Sequence, residues 1–426
     1  MKKINMALKT ALTFFLVLSS ILCQAQDMNR VRKYLKVLCA PKMAGRGYVK
    51  EGDKKAAAFL KKEFEKIGLQ AFKGTYFQHF NMDINTFPGK AVLKDDFHTL
   101  VTGKDYIVNP ISGSGKGSYP VKYLDTLIFS DASLRSRFLS ENNSGVVFVY
   151  EARHYQKMTE LGIEYLNKIH EAACIIELED RKLTASLSGN QFSHPFFKVK
   201  KEAFNTTTKK ISFDLDAKLI KNYQSQNVIG YIRGKSKPDS MIIVSAHYDH
   251  LGKMGKKTYF PGANDNASGI SMLLELARHY ATPGNEPEYT IFFMAFGGEE
   301  AGLLGSKYFT EHPYFFLTRI RFMINLDLLG TGDDGMMVVN ATLNPAEFSL
   351  LESINQQKKY LPVIKKRGAA ANSDHYYFSE RDVPAFFFYT LGGIAAYHDI
   401  YDKPQTLPLT RFKEVFLLIT DFIREI

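Results

Sequence analysis

The chain has 426 residues, more than one hydrophobic core usually serves, so two domains or one large domain carrying an insertion is expected. Hydrophobic residues make up 45% and charged residues 23%, which excludes a disordered chain. The formal net charge is +11, but Lys and Arg are scattered rather than gathered in one block or module, which excludes nucleic acid as the expected partner.

Residues 1–25 read as an export signal. Lys2, Lys3 and Lys9 form a positive start, and Ala11 to Leu22 is an apolar run too short to span a bilayer comfortably. Small residues at Cys23 and Ala25 place cleavage after Ala25, giving a periplasmic or secreted protein with a formal charge of +8 once three lysines are removed. Lipid attachment at Cys23 is the lesser alternative, because Leu22 is a poor residue before a lipidated cysteine. No later segment is apolar enough over a sufficient length for a stable membrane span.

Residues 27–70 carry a helical pattern. Phe59, Leu60, Phe64 and Ile67 recur at spacings near 3.6, and Gly68 is a stop. From about 75 to 225 the texture turns to short β-like runs such as 146–150, separated by Gly, Ser and Asn clusters. His154, His170 and His194 are isolated there and read as surface or satisfied histidines. From 226 onward, strand patterns at 241–246, 289–296, 319–327 and 383–389 alternate with helical ones at 268–281, 302–312 and 410–424. That alternation predicts a parallel or mixed sheet covered on both faces. Cys39 and Cys174 share no metal-binding spacing and read as two buried free thiols.

Polar groups follow each predicted strand: His247 and Asp249, then Glu299 and Glu300, then Asp327, then His398 after a Gly-rich loop. Asp265 sits in a Gly/Asn/Ala/Ser loop that opens a helix. Open α/β sheets bind ligands outside the carboxyl ends of their strands, so the chain delivers two imidazoles and several carboxylates to one sheet edge. Carboxylates packed together repel unless a cation joins them. Imidazole with carboxylate and no thiolate suits a catalytic zinc site. Five ligands exceed one such zinc and suit two, if a central carboxylate bridges; Asp265 is the best placed. One of the paired glutamates can bind metal while the other handles a proton. Asp249, two residues after His247, is placed to accept its second imidazole proton.

The runs SAHYDHLG, PGANDNASG, FGGEEAGLLGS, INLDLLG, SDHYYF and YHDIYD resemble the zinc aminopeptidase and glutamate carboxypeptidase family, metallopeptidase family 28. The resemblance covers residues 226–426, and residues 43–69 are similar to the family's N-terminal helix region. It implies a three-layer α/β/α sandwich with a mixed, mostly parallel central sheet, plus an inserted smaller β-rich α+β domain. The catalytic domain would comprise 26–75 and 226–426. The insert would be 76–225, with a protease-associated-like domain at about 110–205.

Carried over by motif, one zinc would be held by His247, Asp265 and Asp327. A second would be held by Asp265, Glu300 and His398. Glu299 would be the general base, with Asp249 orienting His247. Ser373, Asp374 and His375 would lie near substrate, and Asp402 would support the last ligand. Some relatives place a tyrosine three residues before the Ser-Asp-His run; Ala370 stands there, so an oxyanion-stabilising tyrosine must come from elsewhere. The implied activity is a two-zinc aminopeptidase acting on peptide substrates. A carboxypeptidase or dipeptidase, a glutaminyl cyclase and a metal-free binding protein are the alternatives. The oligomeric state stays open.

Overall fold

The computed structural model describes residues 26–426; the expected export signal and Cys23 lie outside the described residues. The architecture is a mixed α/β sandwich built on a nine-stranded sheet. Its centre is the strand Lys237–His247, flanked in parallel by Tyr289–Phe296 and Ile320–Leu326, with Ala385–Thr390 parallel beyond. The long strand Lys218–Ile232 closes one side antiparallel to Tyr289–Phe296 and also pairs with Phe77–Thr86. Met336–Val339 and Ile364–Lys366 close the other side.

Strand alternation explains why the sheet is covered twice. Ile242, Val244 and Ala246 enter one hydrophobic cluster with the helices Met28–Leu38, Gly52–Ile67, Gly269–Ala281, Pro345–Lys358 and Phe412–Glu425. Met241 and Ile243 face the opposite cluster, shared with Phe309 of the helix Leu304–Glu311. Both faces are apolar, so the central strands are continuous hydrophobic runs rather than alternating ones. Leu60, Phe64 and Ile67 are buried as their spacing predicts, while Phe59 is half-buried and meets Tyr34 edge to face. Gly68 ends that helix at φ 90°.

A second sheet of eight strands uses residues within 91–215. Three short helices, Ala132–Ser140, Tyr155–Leu161 and Ile163–Ile169, pack on one face through Phe138, Met158 and Leu166. The other face shares its core with Leu251, Met254 and Phe260, which follow the first sheet's central strand. The two sheets are therefore joined by apolar packing beside the strand end that carries His247. His170 and His194 come together here, Nδ1 of one 3.1 Å from Nε2 of the other. Cys39 and Cys174 are buried and unpaired. No helix among the described residues is long and apolar enough to cross a membrane.

Candidate metal centre

Parallel strands 237–247, 289–296 and 320–326 end together, so the residues just beyond them are brought to one edge. His247 is the last residue of its strand and is buried. Its Nε2 lies 3.3 Å from Asp265 Oδ1 and 3.4 Å from Asp327 Oδ1. His398 Nε2 lies 3.0 Å from Asp265 Oδ2 and 3.0 Å from Glu300 Oε2. Asp265 thus faces one imidazole with each oxygen. Glu299 Oε2 is farther from His247 Nε2, at 3.9 Å. The donor atoms of His247, Glu299 and Asp327, and again those of His247, Asp265 and Glu300, lie within 4.8 Å of one another, close enough to hold a metal ion.

The Asp265 loop is held mainly by main-chain bonds. Asp402, buried, accepts the N–H groups of Asn264 at 2.8 Å and Asp265 at 3.0 Å. Asn266 ties the loop to the neighbouring strand, donating to Leu326 O at 2.9 Å and accepting from Gly269 N at 2.9 Å. A Cβ on Gly269 would sit 2.5 Å from that same Leu326 oxygen, so only glycine lets the helix start this close to the strand.

The electrostatics follow from burial and crowding. Burial alone would lower the His398 imidazole, but Glu300 and Asp265 raise it to about 11. Burial would raise Glu300, yet His398 and His250 bring it down to about 2. Glu299 is pushed well up by burial and by Glu300, against the pull of His247. Asp327 Oδ1 is buried with no hydrogen-bond partner. A dense negative field with an unpartnered buried carboxylate oxygen is the environment a divalent cation fits.

Each residue singled out by the sequence can now be located. His247, Asp265, Glu299, Glu300, Asp327 and His398 converge around one cavity of about 440 Å³. Asp249 is buried beneath them, but its carboxylate is 3.9 Å from His247 Nδ1, and its own main-chain oxygen is nearer at 3.3 Å. The carboxylate instead accepts from Glu299 N at 3.1 Å and Tyr48 Oη at 2.9 Å, fixing the paired glutamates. Ser373 donates to Asp327 Oδ2 at 3.2 Å and accepts from Asn325 Nδ2 at 2.8 Å. Asp374 is buried, its carboxyl raised to about 7 by burial despite His247 nearby. His375 packs behind the site, its ring 5.3 Å from that of Phe387.

Three residues without a sequence-based role stand out. His250 Nδ1 is 2.6 Å from Glu300 Oε1; it was visible as the second histidine of SAHYDHLG. Tyr397 lines the cavity and stacks on His398, ring centroids 4.0 Å apart at 14°. Arg46 is fully buried and its guanidinium donates to Tyr248 O, Pro261 O, Gly262 O and Asp265 O at 2.7–3.0 Å. Its one local signal is a flanking glycine pair: a Cβ on Gly45 or Gly47 would come within 2.4 Å of Gly252 main-chain atoms.

The profile of Peptidase family M28 matches residues 227–423. Aminopeptidase YwaD of Bacillus subtilis is 39% identical over 151 residues, 35% of this chain and 31% of that protein's length. The chain thus aligns with less than a third of that curated relative. A zinc aminopeptidase structure from Bacillus subtilis superposes with a TM-score of 0.71 at 22% identity, covering 94% of this chain and 95% of that one. A peptidase M28 precursor from Shewanella amazonensis gives a TM-score of 0.65 at 15% identity, over 93% and 97% of the two chains. These structural likenesses carry the fold across almost the whole chain. The matched profile lies over the strands that deliver the histidine–carboxylate cluster, so residues 227–423 are similar to Peptidase family M28.

Proposed function

We propose that the protein is a zinc-dependent aminopeptidase whose site would take two zinc ions. The observation that carries this reading is the position of Asp265, one oxygen toward His247 at 3.3 Å and the other toward His398 at 3.0 Å. On this reading His247, Asp265 and Asp327 would hold one ion, and Asp265, Glu300 and His398 would hold the other. Relatives named aminopeptidase and zinc aminopeptidase support the metal and the reaction class. When bound, the ions supply Lewis acidity toward the scissile carbonyl and toward water.

The chain's own groups do the rest. Glu299 lines the cavity, and no side chain among the described residues hydrogen-bonds its carboxylate. Burial and the Glu300 charge make it a stronger base than an ordinary carboxylate. It takes a proton from the attacking water and returns it to the leaving amine. Tyr397, 43% exposed in the cavity mouth, presents a phenol to the developing oxyanion, in place of the tyrosine missing at Ala370. Residues of about 110–205 serve as a protease-associated-like domain, and loss of residues 1–25 on export leaves the enzyme in the periplasm or outside the cell.

The test is hydrolysis of a panel of aminoacyl-anilides by residues 26–426, with a chelator and zinc add-back. Release that the chelator stops and zinc restores is the expected result. Two bound zincs with no release from any member would refute the aminopeptidase reading and favour a carboxypeptidase or dipeptidase.

A further inference from the structure

His398 is a metal-facing residue held directly by a segment of the second sheet. It is not glycine, yet its φ is 52°, a left-handed conformation that is strained for an L side chain and needs outside support. That support comes from residues 181–187, which connect two strands of the second sheet, Cys174–Glu179 and Phe196–Lys200. Ala185 N donates to His398 O at 3.0 Å, and His398 Nδ1 donates back to Ala185 O at 2.9 Å. The second bond matters chemically. A neutral imidazole has one N–H; placing it on Nδ1 leaves the Nε2 lone pair facing Asp265 and Glu300.

Lys182 completes the clamp. Its ammonium donates to Ala395 O at 2.7 Å and Tyr397 O at 2.8 Å and pairs with Asp399 Oδ2 at 2.7 Å. All three of its hydrogens are therefore used on the loop that carries His398. Asp399 passes the constraint on, its Oδ1 accepting from Tyr401 N at 2.8 Å and Asp402 N at 3.1 Å. The Asp402 carboxylate then holds the main chain of Asn264 and Asp265. One connected network runs from the second sheet to both oxygens' owner, Asp265.

We propose that residues 181–187 are a built part of the metal centre, and that Lys182 is a positioning residue for His398. The second sheet then sets the direction of one ligand and, through it, the occupancy of one ion. The inference rests on His398 being a zinc ligand, as proposed above.

The experiment is zinc titration of metal-free residues 26–426 against a chromogenic chelator, for the wild type and Lys182→Met. Lys182 is 40% exposed on its side chain, so the variant keeps its fold, checked by an unchanged unfolding temperature without metal. The expected result is a second zinc weakened about tenfold or more, with the first weakened clearly less. A parallel fall in kcat with KM little changed is expected for an anilide substrate. Unchanged affinity for both ions overturns the role of Lys182, and so does equal weakening of both, which would mean general loosening. If the wild type itself binds fewer than two zincs, the two-ion reading fails and this inference falls with it.

Discussion

The guanidinium of Arg46 donates to the main-chain carbonyl of Asp265 at 3.0 Å, across 219 positions of sequence. Its hydrogen-bond partners are main-chain carbonyls, with Leu38 O at 3.4 Å joining the four closer ones, and the Cys39 sulfur. A buried cation is tolerable only with its donors satisfied, and the planar fork of arginine reaches five acceptors where lysine's ammonium reaches three. Arg46→Lys is therefore expected to destabilise the fold by about 3 kcal/mol, from carbonyls left unpaired. Denaturant unfolding of the two proteins measures it; a loss under about 0.5 kcal/mol would mean that the cradle is not what holds the Asp265 loop.

Glu299 lies beside the cluster, its Oε2 3.9 Å from His247 Nε2, and its carboxylate is free of hydrogen bonds among the described residues. Glu299→Gln keeps the shape and removes the base. Turnover is expected to fall by about two to four orders of magnitude while zinc content stays at the wild-type value. Near wild-type turnover in a zinc-loaded variant would remove Glu299 from the proton-transfer role.

Ser373 links Asp327 to a buried relay, since Asn325 donates to Ser373 and accepts from Ser245 Oγ at 2.7 Å. Ser373→Ala leaves Asp327 with neither oxygen hydrogen-bonded and Asn325 with an idle donor. Zinc affinity at the His247 side is expected to drop about tenfold. Competition with a chelator reads this directly, and an unchanged affinity would show that the relay does not orient Asp327.

The His170–His194 pair predicts how the second sheet responds to acid. Burial first, and the neighbouring His170 second, push His194 down to about 4, below the unfolded value of about 6.5. The folded state therefore holds His194 neutral while the unfolded chain binds the proton more readily. Stability from this group is complete above about pH 6.5 and is lost as pH falls toward 4. His194→Gln is expected to flatten the stability profile between those limits. Thermal unfolding at pH 4.5 and 7.5 tests it; an identical pH dependence in the two proteins would discount the pair.

Much of the site was legible because its residues sit where local patterns end. The buried runs before His247, Glu299 and Asp327 name their strands by length and hydrophobicity, and parallel strands put the following residues at a common edge. The short strands Met336–Val339 and Ile364–Lys366, the first of them mostly buried but only four residues long, left no comparable signal. The two middle histidines looked isolated at 170 and 194 because sequence separation hides a contact that only strand order creates.

By itself the sequence determined the strand ends, the histidines and carboxylates that follow them, and the glycine-rich loop around Asp265. Those are properties of residue type and spacing. Only the tertiary structure decided what orients them: Arg46 beneath Asp265, Ala185 opposite His398, and Asp402 under the Asp265 main chain. In each of these contacts a main-chain N–H or C=O is one of the two partners. Such groups are alike at nearly every position in the chain, so no pattern of side chains marks which of them will be used.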